Sequence, residues 1–139
     1  MDGSPILWLE VLVLPLDHAG AGAARDFAST SLEWHDLAYL EDRIRLVVSE
    51  LVTNALMHAS QPPVIVSMQE QWSNVLVTVS DTSATLPVRP AGQERDLGGC
   101  GVAIVERLSR EWGSNTRLDG GKSVWASFEK KPRGIRHQR

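Results

Sequence analysis

Apolar residues crowd the segment from Ile6 to Leu14, broken by one charge, Glu10, and closed by Pro15. A short run so rich in Leu, Val and Ile predicts a strand covered on both faces or nearly so. Asp17 is placed to cap a following helix that runs to about Glu33, with Gly20 and Gly22 weakening its first turns. Asp36 is a second candidate cap. From Leu37 to about Ala59 nothing breaks a helix, and Pro62-Pro63 stops it. Val64 to Glu70 and Asn74 to Ser80 alternate as strands do, joined by Gln71-Trp72-Ser73. Thr82 to Gly99 holds Pro87, Pro90, Gly92 and Gly98 and few aliphatics, which predicts a long loop. Loops of that length are usually lids, binding loops or disordered segments. Gly101 to Trp112 returns to helical spacing. Thr116 to Asp119, a Gly120-Gly121 turn and Ser123 to Phe128 predict a closing hairpin.

Consecutive strands joined by short turns imply antiparallel pairing. The three helices then share one face, giving a two-layer α+β sandwich. At 139 residues a single domain is expected, with its core at about 6–128 and a basic, solvated tail over 129–139. The net charge of −3 argues against a nucleic-acid footprint, which needs a basic stripe. Cys100 is the lone cysteine, so no intrachain disulfide forms, which fits a reducing compartment. Ile6 to Leu16 is too short to span a bilayer, and the acidic start Met1-Asp2-Gly3 is unlike a secretory signal. A soluble, cytoplasmic protein with no membrane contact is expected.

One helix carries a pattern that packing does not explain. Glu50, Asn54 and His58 are spaced i, i+4, i+8, so each sits about 40° round from the last. On the same wheel Leu40, Ile44, Val47, Val48, Leu51 and Ala55 form an apolar stripe. The polar series starts at the edge of that stripe and crosses into it. A carboxylate and an amide facing a core must either satisfy neighbouring backbone groups or line a wet cavity. The second choice has a chemistry: an amide oxygen suits magnesium, which takes oxygens from protein, water and phosphates. A carboxylate one turn away can take a proton from an attacking hydroxyl. His58 alone also reads as a helix-end histidine facing the C-terminal dipole.

Two further features have both a plain and a chemical reading. Asp81 ends the strand Val75 to Ser80; it either initiates a turn or offers an acceptor to a base amino group. Gly98-Gly99-Cys100-Gly101, running into Val102-Ala103, is either a hinge or a set of exposed amides that attract phosphate. No Lys-Ser or Lys-Thr follows these glycines, so this is not a Walker A loop. Gly120-Gly121-Lys122-Ser123 is a hairpin turn first.

In this order the blocks Glu50-Leu51-Val52-Thr53-Asn54-Ala55 with His58, then Asp81, Gly99-Cys100-Gly101-Val102 and Gly121-Lys122-Ser123-Val124-Trp125 resemble the GHKL superfamily. That group holds gyrase, the heat-shock chaperone of ninety kilodaltons, histidine kinases and mismatch-repair ATPases. The likeness is greatest to the stand-alone anti-sigma-factor serine kinases and their actinobacterial relatives. It implies a histidine-kinase-like ATPase fold, with a mixed, mostly antiparallel sheet and helices on one face. It implies ATP and Mg2+ as cofactors, Glu50 as catalytic base and Asn54 as the magnesium ligand. Asn54, His58, Asp81, Ser83, Gly98, Gly99, Gly101, Val102 and Ala103 would line the nucleotide site, under a lid from Thr82 to Gly98 that carries Arg89 and Arg95. The sequence departs from many relatives at Asp81-Thr82-Ser83, where they have Asp-x-Gly, so that adenine packing there is expected to differ.

The function implied is an ATP-dependent serine/threonine kinase that phosphorylates an anti-anti-sigma-factor protein, binds a sigma factor and works as a homodimer. One alternative is a non-catalytic module that binds nucleotide or sequesters a partner. Another is a detached histidine-kinase-like domain, which would need a separate chain to supply the histidine. A topoisomerase or chaperone role would need further domains.

Overall fold

In the strands β2 (Val64–Gln71) and β3 (Asn74–Asp81) every second side chain is buried and those between are partly exposed. Period-2 burial means one face on a core and one toward solvent. The computed structural model describes residues 5–83 and 97–132, with the backbone alone over 97–101. It adds β1 (Ile6–Leu14), β4 (Glu111–Thr116) and β5 (Lys122–Glu129), in the sheet order β1-β2-β3-β5-β4. Every neighbouring pair is antiparallel, so the expected predominance of antiparallel pairing is complete among the described strands.

The helices are α1 (Gly20–Trp34), α2 (Glu41–His58) and α3 (Leu97–Leu108), with a single 3-10 turn at Ala38–Leu40 before α2. α2 is central: it packs on β2, β3 and β5 and against both other helices. Its Ile44, Val47, Val48, Leu51, Val52 and Ala55 meet Val66, Met68, Val77, Val79, Val124, Ala126 and Phe128 in one apolar cluster. No helix of the described residues is long and apolar enough to cross a membrane.

Four expectations need correction. β1 is an edge strand, and Leu7, Leu9, Val11 and Val13 are exposed rather than covered. A run of aliphatics shows appetite for burial but not whether a layer is present to satisfy it. Asp36 does not cap α2: it sits in left-handed backbone at φ 64°, and the N-cap of α2 is Leu40 with no side-chain bond. α3 starts earlier than Gly101 and ends at Leu108. There the amide of Ser109 (3.0 Å) and its hydroxyl (2.6 Å) both donate to Val105 O. Trp112, whose spacing continued the helix, instead faces Ala126 across the β4–β5 ladder. Finally, the basic tail is not solvated from its start, because Lys130 is buried. The expected lid, with Arg89 and Arg95, lies mainly at 84–96, outside the described residues.

β1 is held to the helical layer by polar contacts. His35 Nε2 lies 2.9 Å from Glu10 Oε2, and Ser31 Oγ donates to Glu10 Oε1. These two bonds, the serine's first, hold the Glu10 carboxyl below the ordinary glutamate value. Trp8 stacks on His35 with ring centroids 3.9 Å apart.

The core-facing side of the sheet ends in charge at both ends. At one end Glu70 Oε2 meets Lys130 Nζ at 2.5 Å, each side chain 3% exposed. This pair is well served: Trp8 Nε1 donates to Glu70 Oε1 at 2.6 Å and Lys130 Nζ donates to Gln71 O at 3.0 Å. Removing one member strands a buried charge, which typically costs about 3–5 kcal/mol. Lys130→Met is therefore expected to lower unfolding stability by about that amount in urea titration. The double variant Glu70→Gln/Lys130→Met should recover a good part of it.

Candidate functional site

α2 places Glu50 and Asn54 on the border of its buried stripe. Both are half-buried, whereas Leu51 and Ala55 beside them are buried. Among the described residues neither Glu50 nor Asn54 makes a side-chain hydrogen bond or ion pair. Their polar atoms are therefore not absorbed by backbone groups, one of the two readings the sequence left open. A free amide oxygen and a free carboxylate on a rigid helix fit a hard cation and a proton acceptor. His58 ends α2 and is exposed, without a partner among the described residues. Its wheel angle puts it on the stripe's side, but at the helix end none of the described residues covers it.

α3 packs along α2. Gly98 and Gly99 lie within its first turn, where the amides of an α-helix have no intrahelical acceptor. Gly101 stands deeper in the same helix rather than in a preceding loop. Val102 is buried and Ala103 half-buried. Among the described residues no group of three or more His, Cys, Asp and Glu is placed to hold a metal ion. A surface hollow of about 350 Å³ lies between α1 and the far side of α2, lined by Leu16, Asp17, His18, Ala21, Thr53, Leu56 and Met57. It contains none of the expected site residues.

Asp81 ends β3, next to the end of α2. Thr82 Oγ1 donates to Gln61 O at 2.8 Å and accepts from Gln61 N at 3.3 Å, which ties the two ends together. The Asp81 side chain points to the core face and is 1% exposed. Its Oδ1 accepts from Ser83 N at 2.7 Å, an Asx turn. Its Oδ2 lies 2.8 Å from Lys122 Nζ, itself 3% exposed. Ser83, the departure from the family pattern, does not need a glycine: Asp36 is the sole non-glycine with positive φ among the described residues.

The register explains the meeting of Asp81 and Lys122. They are Cα partners in the β3–β5 ladder, and Lys122 shares its face with Val124, Ala126 and Phe128. The sequence offers Lys122 first as a hairpin-turn residue, with a role near the nucleotide open but poorly supported. Counting back in twos from Phe128 would have put it on the core face opposite Asp81. Ser123 takes the other face, where its hydroxyl meets Ser80 Oγ at 2.7 Å.

Residues 14–128 match the model of the histidine kinase-like ATPase domain. The chain belongs to that family. No curated protein matches it in sequence. Among solved structures, one similar chain comes from the crystal structure of the SiaB-SiaC complex from Pseudomonas aeruginosa. The identity is 12%, 88% of this chain and 89% of that one are covered, and the TM-score is 0.66. At such identity the match speaks for the fold. Membership of an ATPase family agrees with ATP as a ligand.

One residue of this ATPase domain fixes how closely β5 approaches Asp81. A Cβ built on Gly121 would lie 2.2 Å from Asp81 O and 3.1 Å from Thr82 Cα. Both neighbours are backbone, so neither can step aside without moving β3. Gly121→Ala is expected to destabilise the fold by about 1–3 kcal/mol, the usual range for overpacking. Thermal unfolding of the variant measures it; an unchanged midpoint would show that the β4–β5 turn is not pressed on β3.

Proposed function

We propose that this histidine kinase-like ATPase domain is a regulatory protein kinase of the anti-sigma-factor type, which moves the γ-phosphoryl group of ATP to a serine or threonine of an anti-anti-sigma-factor partner. The observation that carries the reading is the pair Glu50 and Asn54, without side-chain partners among the described residues, half-buried and one turn apart on the central helix. In the transfer, the partner's hydroxyl gives its proton to Glu50. Its oxygen bonds to the γ-phosphorus as the bond to the β-phosphate bridge breaks, leaving ADP. Asn54 would hold a magnesium ion through its amide oxygen, and that ion would supply positive charge against the phosphates. In this reading the first amides of α3, at Gly98 and Gly99, would take the phosphates, and Asp81 with Ser83 would take the base. That the similar solved chain belongs to a two-protein complex, SiaB-SiaC, agrees with a protein partner. A sigma factor is the second partner in this reading.

A non-catalytic nucleotide-binding or partner-sequestering module is the second reading. It is favoured by one observation: both oxygens of Asp81 are already engaged within the chain. Transfer from labelled ATP with magnesium separates the two. Glu50→Gln is expected to lower transfer about 10²–10⁴-fold, the usual weight of a positioned base, with ATP affinity little changed. Asn54→Ala is expected to remove the magnesium dependence of ATP binding in calorimetry. Magnesium-dependent affinity unchanged in Asn54→Ala would remove the metal role from that residue, and ATP binding without transfer to any partner would favour the module.

The same reading has the protein acting as a homodimer, and the exposed row Leu7, Leu9, Val11 and Val13 on edge strand β1 supports it. Such a strand presents both apolar side chains and unpaired backbone groups to a partner. Val11→Lys is expected to shift the protein from dimer to monomer in sedimentation velocity, with the far-UV spectrum unchanged.

A further inference from the structure

Two lysine–carboxylate pairs close the core face of the sheet, and they differ in how well they are satisfied. Glu70 and Lys130 each have a further hydrogen-bond partner. Asp81 Oδ2 and Lys122 Nζ are in contact at 2.8 Å, yet neither atom completes an aligned hydrogen bond among the described residues. Both are buried, with side chains 1% and 3% exposed. A buried ammonium with its donors unused is costly, and such a group in a native fold calls for an explanation. Structure alone does not supply one, because the other end of the same sheet shows a fully served pair built from the same residue types.

Resting on the proposed nucleotide site, we infer that Lys122 is a base-selecting residue that competes with the nucleotide for Asp81. In the free protein its ammonium sits on Oδ2, the one Asp81 oxygen that the Ser83 amide leaves open. An amino group on the base needs that same oxygen as acceptor. For the base to bind, Lys122 must turn its ammonium off Oδ2. Binding then draws on the fraction of molecules in which it has done so, and the apparent affinity falls by that fraction. Once turned, the ammonium is a donor beside the base edge, where it meets an acceptor. Adenine brings the amino group; hypoxanthine brings a carbonyl at the same position, and the one donor left on that edge is its ring N1–H. Lys122 thus lowers affinity for the amino base and leaves or raises affinity for the oxo base.

The test is calorimetry of ADP and of inosine diphosphate, with magnesium, on the wild-type chain, Lys122→Met and Lys122→Gln. Lys122→Met is expected to bind ADP about tenfold more tightly, the effect of raising a competent fraction from about one-tenth to near one. Inosine diphosphate should show no gain. Lys122→Gln, which keeps a donor on Asp81 without the charge, should gain on ADP in the same direction by less, and it serves if Lys122→Met does not fold. A wild-type reading accompanies them: in 15N-lysine-labelled protein the Nζ signal missing from the Lys122 variants should move when ADP is added. Equal or weaker ADP binding in the variants, an equal gain for inosine diphosphate, or an Nζ signal that ADP leaves in place would each overturn the inference while the nucleotide site stands. If the wild type and both variants bind neither ADP nor ATP, the proposed function fails and the inference goes with it.

Discussion

An antiparallel sheet with one apolar face has to be covered on that face and closed at its ends. Here the cover is α2, and the closure is two buried pairs of lysine and carboxylate, Asp81–Lys122 and Glu70–Lys130. Ions so placed are held by geometry, since desolvation cancels much of their attraction unless each finds partners. At the Glu70 end the partners are present, and they tie β1, β2 and the residue after β5 into one corner. At the Asp81 end they are incomplete. The same sheet thus has one end finished for stability and one end with polar capacity to spare, and the second lies beside the C-terminal end of α2.

α2 is asked to do two things with one helix. Ile44, Val47, Val48, Leu51, Val52 and Ala55 bury it against the sheet, so it cannot shift without opening the core. Glu50 and Asn54 ride on the border of that stripe. A polar side chain there loses part of its water, and among the described residues Glu50 and Asn54 gain no partner. The loss is tolerable only where solvent or a ligand still reaches the group. Rigid carriage and partial desolvation together are what a proton acceptor and a cation ligand require, because the carriage fixes their spacing and the desolvation strengthens their fields.

Much of this was legible in the sequence, for a physical reason in each case. β2 and β3 alternate strictly because one face is wet, so period alone located them. α2 was legible because nothing between its start and Pro62 interrupts it. The inward set Glu50 and Asn54 followed from the wheel. What was not legible depended on neighbours. The aliphatics of β1 are the same whether or not a layer covers them, so its edge position was hidden. Trp112 fits a helix by spacing and a strand by pairing, and only the free edge of β5 decides between them. The wheel gave His58 a direction but could not say that it is left exposed there among the described residues. Lys122 looked like a turn residue beside Gly120-Gly121, and its inward aim appears only when β5 is counted from Phe128 and set in register with β3.

A match at 12% identity that still covers 88% of the chain means that the two proteins share a backbone arrangement and few side chains. What such a scaffold preserves is position: a helix across an antiparallel sheet, a strand end beside it, and a second helix start alongside. Chemistry is then decided by which side chains stand at those positions and how each is engaged. In this chain Glu50 and Asn54 stand free, whereas Asp81 is held by Ser83 and Lys122. On the proposed reading, Glu50 and Asn54 are open to a ligand among the described residues, and the base side is occupied by the protein itself. A nucleotide would then gain its base contacts only after displacing a lysine. Selectivity among nucleotides would accordingly rest on the lysine's contact with Asp81 more than on α2.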